Sequence, residues 1–321
     1  MQCGTICESL GLRDFGGAEP LEFFMRPCAF GACYDDREAM LTQVLDILLE
    51  FLPFYAAVYG INVFLYFATG WVLVQIQNRH PEHRIQKNRR GEKRMWKEIR
   101  QSVWSLTVTA GCMAGGIFLS YKGWTLVDPL PLTWWSAILM FAVSVVAFDT
   151  WFYWGHRFMH TKLMYRFHAE HHRSVAPTVW STYSDDLVDA FVMQCYYLWA
   201  VVILPIPIEV LIVHRLWDHF NGTIGHSGFE FYASPLSRLP SPMVCVTFHD
   251  QHHSKFRYNF ANFFSFWDRV CGTIAPNYDE QVKVFETIGQ PGNEAVAPSK
   301  APAEGKSADL VRDAGARAPG E

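Results

Sequence analysis

The sequence has little charge, and this scarcity excludes several classes of protein. Charged residues make up 18% of the 321 residues, and a formal net charge of −4 leaves no surplus of Lys and Arg. A broadly basic nucleic-acid-binding protein is therefore excluded, because neutralising phosphates requires such a surplus. The eight Cys form no Cys-x-x-Cys pair and no dense secreted framework, so we expect mostly reduced thiols. The irregularly spaced group Cys3, Cys7, Cys28 and Cys33 is only a weak candidate for zinc.

The hydrophobic residues, 50% of the chain, are arranged in long uncharged runs. Three runs, 51–76, 101–121 and 130–148, are each long enough for a transmembrane helix. Nine Lys and Arg against three Glu in 79–100 indicate a cytoplasmic loop after the first run. A fourth run, 190–208, contains Pro205 and Pro207, and the returning run, 210–220, is too short to span alone, so we expect a helical hairpin.

These runs predict an all-α protein. We expect an integral membrane helical bundle of about four transmembrane or hairpin helices, with a histidine-rich helical cap on the cytosolic side. The alternative is a soluble enzyme that buries the same runs as core helices. The chain divides into a polar N-terminal segment (1–50), transmembrane helices with the basic loop (51–129), a histidine-rich domain (130–285) and a tail (286–321). Because the end of the tail has no aromatic residue, we expect it to be disordered.

Histidine is concentrated in one part of the chain, with 11 of the 13 His between residues 156 and 253. They recur at intervals of three, four and seven residues, which place side chains on one face of a helix. Imidazole suits zinc, copper, iron or nickel, and one ion cannot use so many ligands, so two metals are predicted. The structural alternative is a set of surface or core histidines. The candidate ligands are His156, His160, His168, His171, His172, His219, His226, His249, His252 and His253.

Carboxylates lie within or beside these histidine groups. Asp149 precedes His156 by seven residues and Asp250 follows His249 directly. We predict that both orient ligand rings by accepting a hydrogen bond from the second ring nitrogen. For Glu170, orienting a ligand ring and forming an ordinary salt bridge are equally good interpretations.

The last histidine group carries a resemblance to a known family. The run Phe248-His249-Asp250-Gln251-His252-His253, followed by Asn259-Phe260, Trp267-Asp268-Arg269 and Gly272-Thr273, resembles the fatty acid hydroxylase superfamily. That superfamily includes sterol 4-methyl oxidases, cholesterol 25-hydroxylase and sterol desaturases. His226-Ser227-Gly228-Phe229 resembles its HSGY element, whereas the interval from His219 to His226 is similar to the sterol 5-desaturases. The chain departs from the family pattern at two places. Phe248 occupies a position where family members usually have His, and residues 184–189 occupy the position of an element similar to His-Pro-x-Glu.

The resemblance implies that 130–285 is a di-iron catalytic domain. Such a domain uses O2 to hydroxylate a lipid, or to oxidise one of its methyl groups, with a sterol as the favoured substrate. Electrons from NAD(P)H would arrive through cytochrome b5 or a flavoprotein reductase, because the chain has no dinucleotide fingerprint or haem-binding segment of its own. The expected location is the endoplasmic reticulum membrane, or the inner membrane of a bacterium, with the active site on the cytoplasmic side.

The resemblance implies nine iron ligands, and His219 is not one of them. They are His156, His160, His168, His171, His172, His226, His249, His252 and His253.

Two other functions remain open at this point. A lipid or sterol desaturase would use the same metals and remove two hydrogens. A histidine-rich membrane metal transporter belongs to another class, and it would need polar residues inside its spans as a pathway. The first three runs contain no charged residue, which argues against transport.

Overall fold

The chain folds into a bundle of α-helices, as predicted. The computed structural model describes residues 33–288, and in that part it has ten α-helices and no β-strand. Three residues of the zinc candidate (Cys3, Cys7 and Cys28) and residues 289–321 of the predicted tail lie outside the described residues. The helices are α1 (Cys33–Arg79), α2 (Met95–Tyr121), α3 (Trp134–Met159), α4 (Tyr165–His172), α5 (Leu187–Gln194), α6 (Tyr196–Ile203), α7 (Ile208–Gly225), α8 (Val246–Lys255), α9 (Phe266–Val270) and α10 (Tyr278–Glu286).

Three helical segments are long and apolar enough to cross a membrane. They are Arg37–Arg79, Gly91–Tyr121 and Trp134–Met159. The first two contain the predicted runs 51–76 and 101–121, and the third begins four residues into the predicted run 130–148. The chain divides into two compact units, Met1–Glu50 and Phe51–Glu321. The described part of the first unit is the start of α1, and all the features analysed below belong to the second unit.

The fourth apolar run forms one arm of a helical hairpin. It is broken at Cys195, so that α5 and α6 together make one arm and α7 makes the other. Each arm is about 25 Å long at 1.5 Å per residue. Near the tip, Leu126 N donates to Val202 O (2.8 Å) and Leu130 N donates to Pro205 O (3.1 Å). The tip therefore lies beside the α2–α3 connection, and the segments before and after the hairpin return to the opposite end of the bundle.

Aromatic rings fill the centre of the bundle. The buried Phe148 ring contacts Tyr196, Tyr197 and Phe263, at centroid separations of 5.2 Å, 5.4 Å and 5.7 Å. Ser144 Oγ lies 2.7 Å from His214 Nδ1, so His214 is a hydrogen-bonded core residue remote from the other histidines. This hydrogen bond offsets part of the penalty for burying a polar ring.

Helices α2 and α6 approach each other closely at Gly116. A Cβ atom built on Gly116 would lie 2.1 Å from the backbone oxygen of Tyr197, which no side chain tolerates. We expect Gly116→Val to force the helices apart and to lower the free energy of unfolding by about 1–3 kcal/mol. Thermal unfolding in detergent measures this, with Gly60→Ala as the control because a Cβ there meets nothing within 4 Å. Equal unfolding temperatures for the two variants would contradict the prediction.

Candidate metal centre

Four parts of the chain bring histidines to one end of the bundle. The last turn of α3 and its C-cap supply two, α4 supplies three, the C-cap of α7 supplies one and α8 supplies three. Helices α4 and α8 are short and polar, so they form a cap at the ends of the longer apolar helices. Nine of the ten predicted ligands meet there, in two clusters.

The first cluster contains five imidazoles whose nitrogens lie within 4.8 Å of one another. His156 Nε2 lies 3.1 Å from His168 Nε2, and His172 Nε2 lies 3.0 Å from both His160 Nε2 and His252 Nε2. The members of this five-histidine cluster are His156, His160, His168, His172 and His252.

The second cluster contains four imidazoles. His226 Nε2 lies 3.3 Å from His171 Nε2 and 2.9 Å from His249 Nε2, and His253 Nε2 lies 3.1 Å from His249 Nε2. Because His171 and His172 are adjacent in the chain and belong to different clusters, the two clusters lie side by side. The members of this four-histidine cluster are His171, His226, His249 and His253.

Backbone carbonyls fix the orientation of several rings. His156 Nδ1 donates to Phe260 O (2.7 Å), His252 Nδ1 to Tyr258 O (2.7 Å) and His226 Nδ1 to Gly222 O (2.8 Å). A carbonyl oxygen can only accept, so in these neutral rings the proton is on Nδ1 and Nε2 carries a lone pair.

Two carboxylates hold further rings in the same way. Asp189 Oδ2 lies 2.7 Å from His168 Nδ1, and Asp185 Oδ1 lies 2.7 Å from His171 Nδ1. Burial raises the pKa of Asp185 to about 6 and that of Asp189 to about 7, although the neighbouring His171 opposes the rise in both. Carboxylates paired with ring nitrogens are the usual support of metal-binding histidines.

The resulting donor set fits a cation in each cluster. In the pairs His156–His168 and His171–His226, the two Nε2 atoms lie 3.1 Å and 3.3 Å apart. Two lone pairs at that distance repel unless a positive charge lies between them. Two nitrogens bound to one ion through bonds of about 2.1 Å lie about 3.0–3.4 Å apart, which is the separation observed.

For His171, Asp185 and Asp189 outweigh burial and raise the pKa, but for other rings of both clusters burial favours the form that binds metal. It lowers the pKa of His172, His249, His252 and His253 well below the usual value, and the neighbouring imidazoles lower it further. These rings are therefore neutral at pH 7, and neutral imidazole is the metal ligand.

The structure does not bring His219 into either cluster. Its ring nitrogens lie 3.3 Å from Thr69 Oγ1 and 2.9 Å from the Tyr183 hydroxyl. His219 shares a helix face with His226, but seven residues correspond to about 10.5 Å along α7, too far for both rings to bind one ion.

The two carboxylates predicted to orient ligand rings contact other groups. Asp149 Oδ1 accepts the backbone N–H groups of residues 262–264 at 2.6–3.2 Å, and so holds the segment that follows Phe260. Asp250 Oδ1 accepts Gln86 Nε2 at 3.0 Å. The residues found against ligand rings are Asp185 and Asp189. The family resemblance implies that their segment lies near the substrate or the ligands, but the sequence did not single them out as the orienting carboxylates. Their only signal was that they lie in the segment 184–189, where the sequence departs from the family pattern.

A cavity of about 440 Å³ opens beside both clusters. Ligand rings from each cluster form part of its wall, and Phe152 and Met193 form another part. Trp217, Phe220 and Leu236 also line it and are exposed, so they form an apolar mouth. A volume of this size is typical of sites for small molecules and lipids.

The fold and these clusters define an all-α membrane protein with a polyhistidine site suited to two metal ions. Residues 141–273 match the model of the fatty acid hydroxylase family, a range that contains all nine clustered histidines. This match supports the assignment of residues 141–273 to the fatty acid hydroxylase superfamily.

Curated relatives match at 25–33% identity. A probable Delta(7)-sterol 5(6)-desaturase of Neurospora crassa is 25% identical, over 74% of this chain and 66% of that protein. The C-4 methylsterol oxidase erg25 of Schizosaccharomyces pombe is 33% identical, over 43% of this chain and 47% of its own length. Methylsterol monooxygenase 1 of Gallus gallus is 29% identical, over 39% of this chain and 42% of that protein. The chain thus spans about two fifths to two thirds of the length of these relatives. No solved structure matches it.

Proposed function

We propose that the protein is a membrane-bound oxidoreductase that binds two iron ions and uses O2 to hydroxylate a lipid, or to oxidise one of its methyl groups. The substrate we propose is a sterol. The observation that carries this proposal is the apolar cavity that has both histidine clusters in its wall.

The chemistry of such a substrate explains why the cavity and clusters belong together. An unactivated C–H bond offers no proton that an acid or base could use, so its oxidation requires a redox metal. Iron held by the clusters would supply the activation of O2. The chain's own part is to keep water away with apolar walls and to hold the imidazoles in place through Asp185, Asp189 and the backbone carbonyls.

The names of the relatives support a sterol substrate. Two of the three are named for methylsterol oxidation and one for sterol desaturation. Desaturation therefore remains the second candidate, because it uses the same metal centre and differs only in the fate of the substrate's hydrogens and of the oxygen.

The basic loop supports an active site on the cytoplasmic side. Gln86 lies in this loop, and its Nε2 donates to Val175 O (2.8 Å) and to Asp250 Oδ1 (3.0 Å). The loop and the cap are therefore at the same end of the bundle, and loops rich in Lys and Arg face the cytoplasm. Electrons from NAD(P)H would reach this end through cytochrome b5 or a flavoprotein reductase, and the endoplasmic reticulum membrane is the location we propose in a eukaryote.

The function is tested by metal and isotope analysis of the full-length protein in membranes. We expect two irons per chain and O2 consumption that depends on sterol, on NAD(P)H and on an added reductase system. Under ¹⁸O2, a hydroxylated product retains ¹⁸O, whereas a desaturated product contains none.

Three results would overturn parts of this proposal. A protein that binds iron but consumes no O2 with any sterol or other membrane lipid would not be an oxidase. Flux of metal across sealed vesicles without turnover would support a transporter. A desaturated product alone would replace hydroxylation by the second candidate.

A further inference from the structure

Outside the metal clusters, arginines converge on a second pocket. This pocket has a volume of about 260 Å³, and four of its eight lining residues are arginines. Between them lie Gly91 and the backbone-rich segment 174–176. The arginines are Arg89, Arg90, Arg94 and Arg173.

Positive charge is in excess around this pocket. Glu170 is shared by three cations: Arg94 Nη2 at 3.2 Å, Lys97 Nζ at 2.8 Å and Arg173 Nη1 at 3.0 Å. Arg94 Nε also lies 3.7 Å from Glu98 Oε1. In the part of the chain that the structure describes, Arg89 and Arg90 form no ion pair within 4 Å, although Asp250 attracts Arg89 and Glu92 attracts Arg90 at longer range. Guanidinium groups gathered in one place repel one another, so an anion in the pocket would stabilise the arrangement.

The base of the pocket is built by a close approach of two backbone segments. A Cβ atom on Gly91 would lie 2.0 Å from Ala176 O, so only glycine fits between the basic loop and the segment that follows α4. That segment is held again where Gln86 Nε2 donates to Val175 O at 2.8 Å. The arginine stems therefore start from two segments that are fixed against each other, which a specific site requires.

The position of the pocket indicates the source of the anion. Arg89 and Arg90 lie in the connection between the first two membrane-crossing segments, and Gly91 and Arg94 lie at the start of the second. The other lining residues, 173–176, directly follow α4. Lipid headgroups occupy this level of a bilayer, and arginine binds phosphate through paired N–H donors.

We propose that Arg89, Arg90, Arg94 and Arg173 form a binding site for a phosphate group, carried by the headgroup of an anionic membrane lipid. A phosphomonoester headgroup fits best, because its two charges match the surplus of guanidinium groups. Since the pocket joins the basic loop to the segment after α4, the bound lipid would also stabilise the metal-binding cap. This inference is independent of the proposed reaction.

The test measures binding of short-chain lipids to the full-length protein in detergent. The probes are dioctanoyl phosphatidic acid, dioctanoyl phosphatidylcholine and inorganic phosphate, each followed by the shift in unfolding temperature. The variant Arg89→Gln/Arg90→Gln removes two charges inside the pocket. The matched control Lys87→Gln/Lys93→Gln removes two charges from the same exposed loop but outside the pocket.

We expect phosphatidic acid, but not phosphatidylcholine, to stabilise the wild type and the lysine variant alike. The arginine variant should bind phosphatidic acid at least about tenfold more weakly, which corresponds to about 1.4 kcal/mol. Because Arg89 and Arg90 are exposed, the variant should unfold at the wild-type temperature without ligand. If inorganic phosphate binds as tightly as the lipid, the site takes soluble phosphate instead. Equal weakening in both double variants, or in neither, would overturn the site.

Discussion

Replacing His252 with alanine is expected to remove the metal from the five-histidine cluster and to reduce turnover to background. His252 is fully buried, and its Nε2 lies 3.0 Å from His172 Nε2, so no water-exposed side chain can substitute for it. Its pKa is lowered by burial and neighbouring rings, which marks it as a neutral ligand. Iron content per chain and sterol-dependent O2 consumption measure the effect together.

His253, which follows His252 in the chain, tests the four-histidine cluster. His219 provides the control. His253→Ala should remove metal from the four-histidine cluster and also abolish turnover, because we propose that both ions take part. His219→Gln should keep both irons, since His219 contacts Thr69 and Tyr183 rather than either cluster. Full activity in the His252→Ala protein would defeat the assignment of this cluster.

Of the predicted intervals of three, four and seven residues, only the interval of four places two histidines in the same cluster. Three pairs four residues apart occur, and each pair lies within one cluster. These pairs are His156 and His160, His168 and His172, and His249 and His253. The histidine three residues after the first member of a pair, His171 in α4 and His252 in α8, turns to the other cluster. Four residues advance a helix by 400° and three by 300°, at about 100° per residue, so the two positions diverge.

The sequence could not predict which histidines of different helices come together. Nothing in the spacing shows that His252 of α8 meets His172 of α4 rather than His171, because that contact depends on how the cap helices cross. Likewise, the sequence intervals do not show that His226 joins the cap, because α5 and α6 lead away from the cap and only the return of α7 brings His226 there. Proline positions predicted the hairpin but not the break at Cys195.

Nearness along the chain was a poor guide to the carboxylates. Asp250 is adjacent to His249, but a step of one residue turns about 100° around the helix, so its side chain points away from the ring. Asp149 shares the face of His156 but lies two turns earlier, and it binds the segment 262–264 instead. Asp185 and Asp189 reach their rings only through tertiary contact with α4.

The carboxylate of Asp189 should therefore matter more for metal binding than that of Asp250. Asp189→Ala leaves His168 Nδ1 without its acceptor at 2.7 Å, which frees the ring to rotate and to exchange tautomers. We expect iron affinity to fall about 10–100-fold, and turnover at limiting iron to fall with it. Competition with a chelator of known affinity measures the loss directly.

Asp250→Asn is the matched control for this prediction. Burial raises the pKa of Asp250 to about 7, as it does that of Asp189, so the two positions differ in what the carboxyl contacts and not in how readily it is protonated. The contact of Asp250 with Gln86 lies away from the ligand rings, and iron affinity should stay within about twofold of the wild type. Asp189→Asn should recover much of the affinity, because its amide oxygen can still accept from His168 Nδ1. If Asp189→Ala bound iron as tightly as Asp250→Asn, the carboxylate of Asp189 would serve packing alone and not the orientation of the ligand.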